Sequence, residues 1–336
     1  MNRFGRAVTP ARLLRQPDAA RLVRAALALA LAASAAQAAP YAWITNQGSH
    51  DVSVIDLAEE RVVATVPVGR SPAGVVAAGA AGRVFVSNPD SRTISVIDMR
   101  ERRVVATLDG GSGPVGLDAS ADGRRLVAAD WYANRLLVWD TARLDAAPRM
   151  IAVGRAPAGV AVSADGGSAW VAERDDDSVA LVDLERGVVR SRVAVGSHPF
   201  ALLLDAPRGR LYALNVQSDD VSVVDTARAA VVATVAVGHA PYGAALAAGG
   251  RLLYVSNQHD DSVSVLDAEG LSVLRTLHGF GYPEGVAAWG DRVVVVNWMD
   301  DAVSVLDADT GAERRRIATG RNSRGFGAFI GAPAAP

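Results

Sequence analysis

The chain has 336 residues, 34 basic against 36 acidic side chains, no cysteine, and half of its residues apolar. Without cysteine it has no disulfide framework, no thiolate metal site and no Cys-x-x-Cys-His haem attachment. No segment after residue 40 is long and apolar enough to read as a membrane span of roughly 20 residues.

The first forty residues stand apart from the rest. Arg3, Arg6, Arg12, Arg15, Arg21 and Arg24 form a basic stretch, an apolar run follows over Ala25–Ala33, and Ala36-Gln37-Ala38 offers a small-x-small cleavage site. That order reads as a cleaved secretory signal peptide over residues 1–38, with an uncleaved anchor as the lesser reading. Every basic residue is Arg, a bias of GC-rich genomes that points to a Gram-negative bacterium and so to the periplasm. Cleavage takes away six arginines and Asp18, leaving 28 basic and 35 acidic residues, a formal net of −7. A balance of that sign argues against a duplex-DNA binder.

From Tyr41 the chain repeats. Short apolar runs ending in Asp recur at Asp56, Asp98, Asp140, Asp183, Asp225, Asp267 and Asp307, spaced 42, 42, 43, 42, 42 and 40 residues apart. A period near forty with four short strands per unit is the signature of a β-propeller blade. One unit shows the pattern. Ala158–Ser163 is a short strand, Ala164-Asp165-Gly166-Gly167 a tight turn, and Ala169–Glu173 a second strand. Arg174–Asp177 is a polar loop, Ser178–Asp183 a third strand, and Val188–Val195 an outer strand whose Arg190 and Arg192 read as guards of an exposed edge. A Gly-x-x-Pro-x-Gly loop leads to the next unit, as at Gly69/Pro72/Gly74, Gly111/Pro114/Gly116, Gly154/Pro157/Gly159 and Gly238/Pro241/Gly243. Ala201 replaces the last glycine in one copy, and Ser323 replaces the proline in the final one.

The phase of the repeat predicts how the ring closes. The repeats begin on a second strand, Tyr41–Thr45, and end on an innermost strand, Gly325–Ile330. The two incomplete ends sum to one blade. The expectation is therefore an all-β, seven-bladed propeller over residues 39–336, closed by pairing of the C-terminal strand with the N-terminal blade.

The phrase Leu253-Tyr254-Val255-Ser256-Asn257, followed by Asp261–Asp267, resembles the YVTN-type β-propeller repeat, as do Val84–Asn88 and Val293–Asn297. Asp130 and Glu173 replace the Asn in two copies. The resemblance covers the chain from Tyr41 onward and is to the YncE-like periplasmic propellers. It implies a binding or scaffolding role, in some relatives toward nucleic acid, and names no cofactor.

Two loop sets share one face and ring the mouth of the central channel. A concave mouth with aromatics and convergent charges is the default ligand site. The candidate ligand-binding residues there are Arg70, Arg155, His198, His239, Arg321, Arg324, Trp131, Tyr132 and Trp298. The guanidinium groups suit a carboxylate or phosphate; with the aromatics they also suit stacked bases. No catalytic residue and no metal site is assigned: the histidines lack ligand spacing, and seven equivalent Asp cannot all be catalytic, so the repeated Asp reads as an Asx-turn. The expected function is that of a monomeric exported propeller binding a protein or small molecule. The alternatives are an enzyme or redox accessory of lactonase or quinoprotein amine dehydrogenase type, and a single-stranded nucleic-acid binder.

Overall fold

The computed structural model describes Met1 and residues 40–333; the signal-peptide reading over residues 1–38 lies, Met1 aside, outside the described residues. Seven sheets of four antiparallel strands make up the described chain. In blade 4 the strands run Pro157–Val162, Ser168–Glu173, Ser178–Asp183 and Val188–Ala194, from the channel outward. The other blades follow the same order, with second strands at Tyr41–Asn46, Arg83–Asn88, Arg125–Asp130, Arg210–Asn215, Leu252–Asn257 and Arg292–Asn297. Among the described residues the helical elements are all single 3-10 turns.

The second and third strands are buried on both faces because blades pack on each side of them, so they read as apolar runs. Three residues before the end of the second strand, a large side chain fills the space between blades: Trp43, Phe85, Trp170, Tyr212 and Tyr254, all buried. Outer strands alternate exposed and partly buried, as Arg103–Asp109 does. In six blades the outer strand slips register at one equivalent place, for example between Val54 and Ile55 and between Val265 and Leu266. Such bulges add local twist and spoil the outer edge as a template for pairing. Blade 3 lacks the slip; its outer strand, Arg149–Ala152, is short and follows a longer connection.

The ring closes through the C-terminal segment, with shorter strand geometry than the sequence suggests. Only Ile330–Gly331 is regular strand, opposite Ala42 and Tyr41. Gly325 and Gly327 adopt left-handed backbone, with φ of 68° and 120°, which breaks the expected Gly325–Ile330 strand into bridges. The segment still bonds to both neighbours. Trp43 N–H donates to Phe329 O and Arg324 N–H to Thr45 O on blade 1, while Val75 N–H donates to Phe326 O and Ala77 N–H to Ala328 O on blade 2. Phe329 is fully buried in the blade 1 core.

The final glycine of each inter-blade motif has a packing cause. A Cβ at Gly74, Gly116, Gly159, Gly243 or Gly285 would lie 2.1–2.4 Å from a carbonyl oxygen of the next innermost strand. Inner strands converge on the axis there, and only a residue without a side chain allows the approach.

Candidate functional site

Each second strand ends in a buried polar residue: Asn46, Asn88, Asp130, Glu173, Asn215, Asn257 and Asn297. In five blades the Asn Nδ2 donates to a Ser hydroxyl seven residues on, at Ser53, Ser95, Ser222, Ser264 and Ser304, at 2.9–3.0 Å. The two departures are balanced changes. Where Asp130 and Glu173 stand, the Ser position holds apolar Leu137 and Ala180. Arg135 Nε reaches Asp130 at 2.9 Å, and Arg192 Nε reaches Glu173 at 2.9 Å. A buried carboxylate needs a cation where the neutral Asn had sufficed with the serine hydroxyl seven residues on; Glu173 also accepts from the Ser178 hydroxyl at 2.8 Å. Arg192, which reads in the sequence as an edge guard, is thus the counterion of a buried acid.

The repeated Asp at the other end of the blade forms the Asx-turn that the sequence suggests. Asp56, Asp98, Asp140, Asp183, Asp225, Asp267 and Asp307 each accept a backbone N–H two residues on. These bonds, with arginine partners at Asp183 and Asp307, hold both carboxyls well below the ordinary range.

Acids on the loop face are also occupied by backbone. The first free N–H of each inter-blade loop goes to a side chain three residues past the buried polar residue of the blade it enters. Arg70, Arg155, Ser197, His239, Gly281 and Arg321 donate to Ser91, Asp176, Ser218, Asp260, Asp300 and Ser49. The next N–H goes back to the blade just left. Ser71, Ala156, His198, Ala240, Tyr282 and Asn322 donate to His50, Asn134, Asp177, Asp219, Asp261 and Asp301. One junction breaks the rule: Arg92 occupies the acceptor position of blade 2, and Asp130 accepts from both Ser112 and Gly113.

The candidate residues fall into three groups. Arg155 is tied to Asp176 at 2.6 Å, and His239 to Asp219 at 2.7 Å. That hydrogen bond, with Asp260 nearby, raises the His239 imidazole. His198 sits 3.7 Å from Asp177 and 3.0 Å from Ser197 Oγ. Arg70 and Arg321 are exposed and donate to the backbone carbonyls of Asp90 and Gly48. With His50, Arg92 and exposed Tyr132, Arg70 lines a shallow depression of about 640 Å³ across blades 1 to 3. Trp298 donates to Gln47 and packs on Tyr282, which in turn packs on His259.

Arg324 and Trp131 belong to the channel. The residue after the loop proline points to the axis, and the seven copies are Ala73, Val115, Ala158, Phe200, Tyr242, Glu284 and Arg324. Phe200 stacks on Tyr242 at 4.6 Å and on Phe326 at 4.9 Å, and Trp131 caps Phe200 at 6.1 Å. Arg324 donates to Glu284 at 2.7 Å and to Tyr242 Oη at 2.5 Å, and Gln258 donates to Glu284 at 2.9 Å. Burial raises the Glu284 carboxyl against the pull of Arg324; burial also raises the Tyr242 phenol. This layer fills the channel at the loop end.

Behind the plug lies a concave space of about 580 Å³. Its walls come from the inner strands of blades 3 to 7 and the C-terminal segment, from the third strand residue toward the turn beyond, as at Gly116–Ala121 and Gly243–Leu246, so it faces away from the loop mouth. Its lining is Gly, Ala, Val, Leu and Phe326, with Asp118 as the sole polar side chain among its lining residues. Asp118 accepts from Ala119 N–H and from Val162 N–H of the next blade, both at 2.8 Å. Burial pushes it up to about 6, against those two hydrogen bonds. The sequence carries no repeat signal for this residue, because equivalent positions in the other blades are apolar.

Comparison with known proteins agrees with this architecture. A model of the YncE-like β-propeller family matches residues 76–166. No curated protein matches the chain. Among solved structures, hydrazine synthase of Kuenenia stuttgartiensis is similar over 80% of this chain and 92% of its own, at 20% identity and a TM-score of 0.71. A functionally unknown protein from Desulfotomaculum acetoxidans is similar over 87% of this chain and 99% of its own, at 14% identity and 0.74. Dihydro-heme d1 dehydrogenase NirN is similar over 86% and 74%, at 16% identity and 0.66. At such identities the likeness shows the fold alone. The described residues form a seven-bladed β-propeller, and the stretch over residues 76–166 matches the YncE-like family of such propellers.

Proposed function

We propose that this propeller is an exported binding protein whose central space receives a small, largely apolar molecule. The observation that carries the reading is the concave central space of about 580 Å³, within the roughly 300–1,000 Å³ of ligand pockets, whose lining side chains are apolar but for Asp118. The loop end is closed by Phe200, Tyr242, Phe326 and the Glu284–Arg324 pair, so entry is from the turn side. The leader of residues 1–38 supports export to the periplasm and cleavage after Ala38. Native mass spectrometry of the protein released from the periplasm of its own host tests both parts. The expected result is a chain beginning at Ala39 with a retained small molecule. A bare chain that also takes up no apolar probe would overturn the ligand reading, and a chain still carrying the leader would overturn export.

A second reading rests on the broken clamp at blade 2. Arg92 and Arg70 face the loop depression beside Tyr132, without carboxylate partners, whereas Arg155 and His239 have them. That sector suits an acidic protein surface or a single strand of nucleic acid, whose binding would weaken steeply with salt. Loss of a pulled-down partner in Arg92→Ala, with the fold intact, is the expected outcome.

A further inference from the structure

The side chains lining the central space are apolar but for Asp118, the one ionisable group among them. From that geometry we infer that the ligand carries an ammonium group on an apolar body, and that Asp118 is the residue that binds the ammonium. The inference rests on the central-space reading above and deepens it.

A carboxylate offers about four acceptor positions on two oxygens. Backbone N–H groups of Ala119 and Val162 take one on each oxygen, which holds the side chain between two inner strands with acceptor positions to spare. No arginine or histidine belongs to the lining, so the protein itself supplies Asp118 with no counterion there. The contrast between the half-buried Asp118 and the fully buried acids is direct: Asp130, Glu173 and Glu284 are met by Arg135, Arg192 and Arg324. Burial has already shifted Asp118 toward its neutral form, which is the response of a carboxyl that lacks a cation. A ligand ammonium would fill that place with a charge-assisted hydrogen bond, while the Ala, Val and Leu walls and Phe326 take the apolar body. An anionic ligand is disfavoured by the same carboxylate.

The test is isothermal titration at pH 8 with 4-phenylbutylamine and its neutral counterpart 4-phenylbutan-1-ol, on the whole secreted chain. The amine is expected to bind roughly tenfold or more tightly than the alcohol, the scale of one hydrogen bond to a charged group. Asp118→Asn should remove that preference while the alcohol still binds. Ala244→Trp, which fills the space without touching Asp118, should abolish binding of both, and circular dichroism checks that each variant is folded. Equal binding of amine and alcohol, unchanged in Asp118→Asn, would overturn the inference and leave the central-space reading standing. Binding of neither probe, or binding that survives Ala244→Trp, would overturn both.

Discussion

Arg324 Nε lies 2.7 Å from Glu284 Oε2, joining the segment that closes the ring to the inner strand of blade 7. One buried pair therefore serves two ends: it belongs to the plug of the channel and it ties the last turn of chain to the last blade. Taking one partner from such a pair leaves an uncompensated buried charge. Arg324→Met is expected to lower stability by about 3–5 kcal/mol. Glu284→Gln with Arg324→Met is expected to recover most of that. Urea denaturation of the three proteins measures it, and equal losses in single and double variants would show that the pair is not coupled.

Truncation after Arg324 removes Phe326 and Phe329, both buried, and the bonds to blades 1 and 2. The ring then has open edges on both sides of the gap. The expected outcome is loss of the cooperative thermal transition. A stable fold missing only the tail would show that closure is dispensable.

The clamp of blade 4 can be rewritten in the grammar of the other blades. Asn, Ser and an outer-strand Thr lie together at Asn46, Ser53 and Thr65, where blade 4 has Glu173, Ala180 and Arg192. Arg192→Thr alone strands Glu173 and should cost about 3 kcal/mol, discounted for the half-exposed guanidinium. The triple change Glu173→Asn, Ala180→Ser, Arg192→Thr should return to within about 1 kcal/mol of the parent, as a neutral hydrogen-bonded clamp does. Chemical denaturation decides between the two arrangements.

Stability should depend on pH through Asp118. Its folded value, about 6, lies above the ordinary 3.8, so the folded state binds the proton more tightly than the unfolded one. The contribution is then fully present below about 3.8 and is lost as pH rises through about 6, by up to about 3 kcal/mol. Asp98, Asp183 and Asp307 act in the opposite sense, since their lowered values favour the folded state above the ordinary range and fail in acid. The parent is expected to be most stable between these limits. Asp118→Asn should flatten the decline between pH 4.5 and 8 in urea midpoints, and an unchanged slope would remove Asp118 as its cause.

The periodicity of the sequence determined the number of blades, the strand order and the partner of the C-terminal segment, because each depends on local patterns that repeat. Asp at the third-strand end forms an Asx-turn within its own neighbourhood, and glycine with proline marks every crossing between blades but the last, where Ser323 stands for the proline. A seven-fold copy of such signals leaves little choice of fold. What the repeat could not show is where the copies differ and what the differences face. The channel plug is a single repeat position, the residue after the loop proline, yet its character comes from four unlike side chains meeting at the axis: Phe200, Tyr242, Glu284 and Arg324. Arg324 looks in the sequence like one of several loop arginines, and only the three-dimensional arrangement buries it beside Glu284. Asp118 is likewise an ordinary strand residue until four other inner strands and the C-terminal segment gather apolar side chains around the same space. Contacts of this kind join residues some forty to two hundred positions apart, and their chemistry is set by distance through space, which no local pattern encodes.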